Sequence, residues 1–139
     1  MHQKKTRFIF GLVTVIFLML FLSGCKSAEL KAMEDATSVL QLTKGQEVER
    51  YITDKHRGFT GPVYPEVLIV YEPLNNYTQE EIYAEIVEIL ENNNWVGSEP
   101  NTGQKYFKAS LQQGNFEIST GVSIDSRNNH VVVKMIIYP

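Results

Sequence analysis

Hydrophobic and polar positions divide this chain into one continuous apolar run and a longer, patterned remainder. Residues 8–22 contain neither a charged residue nor a proline. Beyond residue 25, apolar residues recur at intervals of about 3.6 or 2 residues, which is typical of amphipathic helices and half-buried strands. We therefore expect a single small folded domain over residues 25–139, preceded by a segment of another kind.

Two segments before residue 55 have helical spacing. Residues 27–42 place apolar residues on one side and charged residues on the other, which predicts a first amphipathic helix. Thr43 and Gln46 have the spacing of a helix cap, so a second short helix is predicted through Val48 and Ile52.

The best-defined helix begins at Thr78. Thr78 and Glu81 form a capping box, and Tyr77 can pack onto Ile82 as a hydrophobic staple. Three consecutive asparagines at 92–94 end the helix before Trp95 returns to the core. The apolar stripe that we expect to face the core consists of Ile82, Ile86, Ile89 and Leu90.

Four further segments predict strands. Residues 67–71 are apolar at both alternating sets of positions, which indicates a strand covered on both faces. After a loop at 97–103, three strands follow at turns too short for anything but antiparallel pairing. In the first of these strands, Phe107 is the first residue of the buried side. In the second, residues 116–124 alternate between a buried and a solvent-exposed side. In the third, residues 130–138 are apolar on both sides. This last strand should lie inside the sheet or under the first helix.

The predicted fold class is α+β, because a run of strands follows the helix at Thr78. We expect an N-terminal helix followed by β-α-β-β-β, with an antiparallel four-stranded sheet packed by helices. A mixed sheet stays open as an alternative. A domain of this length can bury enough surface to fold without a cofactor or a disulfide.

The apolar run at 8–22 belongs to a leader. Lys4, Lys5 and Arg7 precede it without any acidic residue, and the run is shorter than the roughly 20 residues that a membrane span needs. This is the arrangement of a secretory signal. The last residue of the run and the three that follow it resemble the lipobox of bacterial lipoprotein precursors; they are Leu22, Ser23, Gly24 and Cys25.

This resemblance implies that residues 1–24 are a lipoprotein signal peptide and that Cys25, the only cysteine, becomes the lipidated first residue. Two acyl chains anchor a protein firmly, whereas one binds only marginally. The expected location is the extracytoplasmic side of a cell membrane, with the membrane as a partner through the lipid on Cys25. The alternative is an uncleaved signal anchor in which Cys25 has no special role.

The net charge of the chain without its leader argues against one class of partner. Without the leader the chain has ten basic and sixteen acidic residues, a formal charge of −6. Nucleic-acid binding depends on neutralising phosphates, so a nucleic-acid partner is not expected.

The sequence contains few residue patterns that are typical of catalytic or metal-binding sites. Beyond the leader there are two histidines, His56 and His130, and neither has a second histidine or a cysteine at ligand spacing. His130 follows a polar turn, where a polar residue at the start of a strand is ordinary. The glutamates of the helix at Thr78 are typical of a solvated helix face. We therefore expect no enzyme activity, no metal site and no cofactor.

The leading binding-site candidate is the loop at 54–65. It combines unlike charges and an imidazole with glycines and prolines, and a plain solvated loop is the alternative. The residues predicted to bind are His56, Arg57, Phe59 and Tyr64.

The sequence predicts a lipid-anchored binding module of the cell envelope whose partner is another envelope protein, bound by this loop or by the sheet face beside it. The alternative is a small-ligand or wall-polymer binder that uses partly exposed aromatic residues, chiefly tyrosines; the candidates are Phe59, Tyr64, Tyr71, Tyr77, Tyr83, Tyr106 and Tyr138. A closed apolar pocket lined by tyrosines would favour the alternative, and a flat surface would not.

Overall fold

A computed structural model describes residues 27–53, 57–58, 61–62, 64–98 and 105–138. These ranges contain two helices, α1 (Ala28–Thr37) and α2 (Gln79–Asn92). They also contain eight strands, which are β1 (Gly45–Thr53), β2 (Arg57–Gly58), β3 (Gly61–Pro62), β4 (Glu66–Pro73), β5 (Val96–Ser98), β6 (Tyr106–Gln113), β7 (Phe116–Asp125) and β8 (His130–Tyr138).

The first helix is confirmed but ends earlier than predicted. Ser27 caps α1 by accepting a hydrogen bond from the backbone N–H of Leu30 at 3.2 Å. At the other end, the hydroxyls of Thr37 and Ser38 donate to backbone carbonyls one turn back, at 3.0 and 2.6 Å. Such side-chain bonds compete with helix continuation, which explains why α1 stops at Thr37.

The predicted second helix is wrong, because Gly45–Thr53 is strand β1, paired antiparallel with β4. A β-bulge between Glu47 and Glu49 interrupts the two-residue alternation. It places Glu47 and Arg50 beside each other, with Arg50 Nη2 2.7 Å from Glu47 Oε2. Residues three apart are also neighbours on a helix. The spacing of Glu47 and Arg50 therefore fits a helix as well as this bulged strand.

The helix at Thr78 is confirmed with its capping box. Thr78 Oγ1 accepts from the N–H of Glu81 at 3.3 Å, and Glu81 Oε2 accepts from the N–H of Thr78 at 2.8 Å. Asn94, at φ 65°, reverses the chain after the helix, and the N–H of Trp95 donates to the carbonyl of Leu90 at 3.1 Å. Trp95 is buried, as predicted.

The predicted four-stranded sheet is also wrong. Six strands form one antiparallel sheet in the order β1-β4-β8-β7-β6-β5, and β2 and β3 form a separate two-stranded ribbon. Both edge strands were missed, since β1 was predicted as a helix and β5 lies partly in the predicted loop. The four inner strands were predicted, and β8 lies inside the sheet as expected. The described chain is mostly β but still broadly α+β.

Both helices pack on one side of the sheet, which we call the covered face. Its largest fully buried side chains include Ile82 and Ile86 of α2 and Met33 of α1. The strands contribute alternate residues to this core; they are Val67, Ile69, Tyr71, Phe107, Ala109, Ile118, Val122, Val131, Val133, Met135 and Ile137.

The opposite side of the sheet, which we call the open face, consists of the intervening residues. They include Leu68 and Val70 of β4 and the even-numbered residues of β8. The prediction that β4 is covered on both faces is therefore wrong in part. Val70 is buried by its neighbours on the open face, whereas Leu68 is only half-buried.

Candidate functional site

A groove crosses the open face of the sheet. In the ranges that the structure describes, both helices pack on the covered face and neither lies over this side. The groove has a volume of about 350 Å³. Residues from four adjacent strands line it, among them Leu68, Tyr106, Gly121, Lys134, Ile136 and Tyr138.

Gly121 allows the ring of Tyr106 to lie over β7. A Cβ added at Gly121 would stand only 2.6 Å from the Tyr106 hydroxyl oxygen and 3.2 Å from Cζ. Any larger residue would therefore push the end of this side chain away. Tyr106 keeps 45% of its surface exposed, so its ring is both positioned and accessible.

Two lysines lie on either side of Gly121 in the same row of the sheet. The register pairs Lys108 with Gly121 on one side and Gly121 with Lys134 on the other. Two strand spacings separate the Cα atoms of the lysines by about 10 Å. Lys134 Nζ also lies 2.9 Å from Glu66 Oε2, so this ammonium is held at the strand junction by an exposed ion pair.

A pair of tyrosines forms the rim of the groove. The ring centroids of Tyr64 and Tyr138 lie 5.0 Å apart, with the ring planes tilted by 60°. The N–H of Ile137 donates to the carbonyl of Pro65 at 3.2 Å, which continues the pairing of β4 with β8 to this point. Tilted rings at this distance stabilise each other, so the rim is a defined aromatic surface.

The groove continues towards the edge strand β5. A second hollow of about 440 Å³ adjoins it, lined by Val96, Ser110 and Glu117 among others. The two hollows share Lys108, Ser119 and Tyr138 as lining residues. Together they reach from β4 to β5, four strand spacings or roughly 19 Å across the sheet.

Charge is distributed unequally between the two layers of the molecule. The helix α1 contains one lysine and three acidic residues, and α2 contains five glutamates and no basic residue. The two helices therefore have a net formal charge of −7, whereas residues 25–139 together have −6. Outside the helices, this part of the chain is positive by one charge.

On the open face, the hydrogen bond that Tyr51 donates to Glu49 raises the pKa of Tyr51. Tyr51 is more than half exposed and lies opposite Leu68, next to the groove. The hydroxyl hydrogen of Tyr51 is therefore already bonded to Glu49, and the hydroxyl oxygen can still accept a hydrogen bond.

Tyr71 lies on the covered face and is 2% exposed. Burial raises its pKa to about 12, and the negative charge of Glu47 adds to the shift. Among the described residues its hydroxyl has no hydrogen-bond partner. Tyr71 is therefore part of the core and not of the groove.

Glu85 connects α2 to the turn before β1. Its carboxylate accepts from the N–H and the hydroxyl of Thr43 at 2.8 and 2.6 Å, and from the N–H of Lys44 at 3.1 Å. Burial alone would raise the pKa of Glu85, but these hydrogen bonds together outweigh it and lower the pKa below its usual value. This glutamate is a structural link, whereas the sequence indicated only a solvated face.

Only some of the site residues predicted from the sequence lie in the described ranges. Cys25, His56 and Phe59 lie outside the described residues, and of Arg57 only the backbone in β2 is described. Tyr64 lies at the rim of the groove, so the structure brings this predicted residue to the open face.

The tyrosines that the sequence offers as partly exposed lie in different parts of the structure. Tyr106 and Tyr138 are exposed and meet at the groove, which the sequence could not show. Tyr77 is 43% exposed and precedes α2. Tyr71 is buried, so its expected partial exposure is wrong.

Sequence reasoning missed Lys108, Gly121 and Lys134. The sequence held one signal for them: in its own strand, each of these residues stands between two residues that face the core. That parity places all three on one face once the register is known. The register itself was not available from the sequence.

The described ranges contain neither a candidate metal site nor a candidate membrane-spanning helix. No group of three histidine, cysteine or acidic residues there could hold a metal ion. Within the same part of the chain, no helix is both long and apolar enough to span a membrane.

No model of a known protein family matches the chain, and no curated protein gives a significant match to it.

Proposed function

We propose that this protein is a lipid-anchored binding module on the extracytoplasmic side of a bacterial membrane, and that it binds its target through the open face of the sheet. The observation that supports the binding surface best is the groove, which combines concavity with accessible tyrosines and lysines. Ligand sites are usually concave and combine apolar walls with a few polar groups.

The open face also fits the expectation of a surface beside the loop at 54–65. Tyr64 lies near the end of that loop and contacts Tyr138 in the groove. A target on the open face would therefore reach the end of the loop as well.

Two classes of target remain in view. An envelope protein is the first, and it is favoured by exposed apolar side chains at the margins of the open face, such as Tyr51 and Val96. A small ligand or a wall polymer is the second, and the groove with its tyrosines favours it. The groove is neither the closed pocket nor the flat surface that would decide between the two.

The anchor is tested by metabolic labelling with a fatty-acid analogue. The wild-type chain should incorporate the label, and a Cys25→Ser variant should lose it and remain at its precursor size. Label that persists in the Cys25→Ser variant would show that the lipid is attached elsewhere.

The binding surface is tested by photo-crosslinking in intact cells. A photoreactive residue at Ser123, on the open face, should give a reproducible adduct with wall material or with an envelope protein. The matched control is the same residue at Glu88, which is exposed on α2 in the helix layer. Adducts from Glu88 alone, or from neither position, would contradict the proposal.

A further inference from the structure

We propose that the open face binds a second copy of this chain, so that two anchored molecules pack sheet against sheet at the membrane. This inference rests on the proposed function, because it names the envelope protein that the open face takes. Four observations support it: the size of the face, the order of its side chains, the charge of the two sides of the molecule and the position of Ser27.

The open face has the size of a modest dimer interface. The sheet has six strands and therefore five spacings of about 4.8 Å, and its inner strands are about 30 Å long. The flat area is then about 700 Å² on each copy, or about 1,400 Å² for two. Specific interfaces bury about 1,200 to 2,000 Å², so this one lies near the lower end. Such a dimer dissociates in dilute solution and forms where an anchor concentrates the chain.

The two central strands show how the face can pack on itself. On β4 and β8 the register gives four successive pairs of open-face residues; they are Tyr64 with Tyr138, Glu66 with Ile136, Leu68 with Lys134, and Val70 with Val132. The first pair consists of two aromatic side chains at the rim, and the last consists of two small aliphatic side chains. The two ends of the face are therefore complementary in size.

Two-fold symmetry brings these pairs onto each other. In most dimers the same surface of each copy meets its counterpart about a two-fold axis. An axis that runs across the strands, between the second and third pairs, places Tyr64 and Tyr138 of one copy over Val70 and Val132 of the other. Packed sheets lie about 10 Å apart with nearly aligned strands, so side chains from both faces interdigitate.

The same axis brings opposite charges together. Lys134 of one copy lies over Ile136 of the other, one strand spacing of about 4.8 Å from Glu66 there. Within one copy Lys134 Nζ is 2.9 Å from Glu66 Oε2, so the ion pair can exchange partners between the copies. Glu117, which is opposite Tyr138 on β7, lies over the neutral Ser123.

The helix side of the molecule is less suited to a second copy. The helices α1 and α2 have a net formal charge of −7, and like charges that face each other across an interface repel. On the open face, the charged residues in or beside the two hollows sum to zero; they are Glu66, Lys108, Glu117 and Lys134. The open face is therefore the side on which two copies can meet.

The anchors of both copies can reach one membrane in this arrangement. The C-terminal end of α1 reaches β1, since Arg50 Nη1 is 3.3 Å from Thr37 Oγ1, and the helix packs on β7 and β8. Ser27, at its other end, therefore lies towards the edge at β5. An axis across the strands keeps the Ser27 residues of both copies at that same end, so lipids on both Cys25 residues would enter one bilayer.

The direct test is sedimentation of the full-length lipidated protein in density-matched detergent at about 0.1 to 100 µM. The wild type should change from monomer to dimer within this range. Val132→Arg and Tyr138→Ala should each weaken the dimer by at least about tenfold. The matched controls, Glu88→Arg on α2 and Tyr77→Ala before it, should associate as the wild type does. A wild type that stays monomeric throughout would contradict the dimer, as would full association of Val132→Arg.

A charge exchange gives an independent test. Lys134→Glu and Glu66→Lys should each associate roughly tenfold more weakly than the wild type, because like charges then meet across the interface. An equimolar mixture of the two variants should regain the wild-type affinity, since each copy supplies the charge that the other lacks. No gain on mixing would show that the pair acts within one copy and that this packing is wrong. Urea unfolding of each variant in dilute solution shows whether it is folded.

Crosslinking from Ser123 in intact cells identifies the partner. The adduct should have twice the mass of the chain and should join Ser123 to the part of β7 around Glu117. An adduct only with a different protein or with wall material would contradict the dimer and leave the proposed function standing. If Ser123 gives no adduct and the chain stays monomeric, both are wrong.

Discussion

The two faces of the sheet are built from the same strands but have different roles. On β8, Ile137 is fully buried beneath the helices, while its neighbour Ile136 is half-exposed in the groove. The covered face consists almost entirely of apolar side chains held by α1 and α2. The open face alternates apolar residues with tyrosine, lysine, serine and glutamate. Packing against the helices therefore determines the residues of the first face, whereas no described helix constrains those of the second.

The largest difference in stability is expected between two substitutions on β8, one on each face of the sheet. Ile137→Ala should destabilise the protein by about 2 to 4 kcal/mol, because it leaves a cavity in the core. Ile136→Ala removes the same atoms from a partly solvated position and should cost about 1 kcal/mol or less. Urea unfolding of both variants measures the difference. Equal losses would mean that the open face is covered in solution.

A smaller effect is expected at the margin of the helix layer, where Glu85 binds Thr43 and Lys44. Glu85→Ala should cost about 1 to 2 kcal/mol at neutral pH, since the carboxylate is only partly shielded. Because the fold lowers the pKa of Glu85, its stabilising effect is complete above its ordinary value of 4.5 and is lost as the pH falls through the folded value.

Unfolding of wild type and Glu85→Ala at about pH 7 and about pH 3 tests this pH dependence. The difference between the two proteins should be larger at the higher pH than at the lower. A constant difference would show that the lost packing, not the charge, accounts for the effect.

Tyr71→Phe should leave stability unchanged or raise it by up to about 1 kcal/mol, because the buried hydroxyl has no partner among the described residues. The pKa of Tyr71 is raised from 10.0 to about 12, so the fold favours the protonated form. The wild type should lose that contribution as the pH rises from 10 to about 12.

The Tyr71→Phe variant should not show that part of the alkaline loss in unfolding experiments across this pH range. A variant markedly less stable than the wild type at neutral pH would instead indicate that the hydroxyl is bonded.

The smallest effect is expected for the ion pair on the open face. A double-mutant cycle of Glu66→Ala and Lys134→Ala should give a coupling energy below about 0.5 kcal/mol, since both side chains are partly exposed. The pair would then contribute little to the free energy of unfolding. A coupling of several times that size would make Lys134 a structural residue.

The sequence predicted the interior of this fold better than its edges. The capping box at Thr78 and the alternation in β7 are local signals, and both lead to the correct elements. The strand β1 has a bulge and exposed residues on both sides, so neither a period of 2 nor a buried stripe identifies it. The strand β5 has only three residues, which is too short for a periodic pattern.

The candidate site was harder to predict for a different reason. Tyr64 could be named because its loop has an unusual local composition. Lys108, Gly121 and Lys134 are ordinary strand residues, far apart along the chain. Only the pairing of three strands brings them into one row, and that register depends on long-range contacts that a single sequence does not reveal.

The cap of the first helix has a consequence for how this domain would be displayed. Ser27 begins the folded structure only two residues after Cys25. An extended chain spans about 3.5 Å per residue, so a lipid on Cys25 would leave a leash of about 7 Å. Because α1 belongs to the helix layer, that leash starts on the side opposite the groove. A domain anchored in this way would stay within about one leash length of the membrane, with α1 nearer to the lipid than the groove.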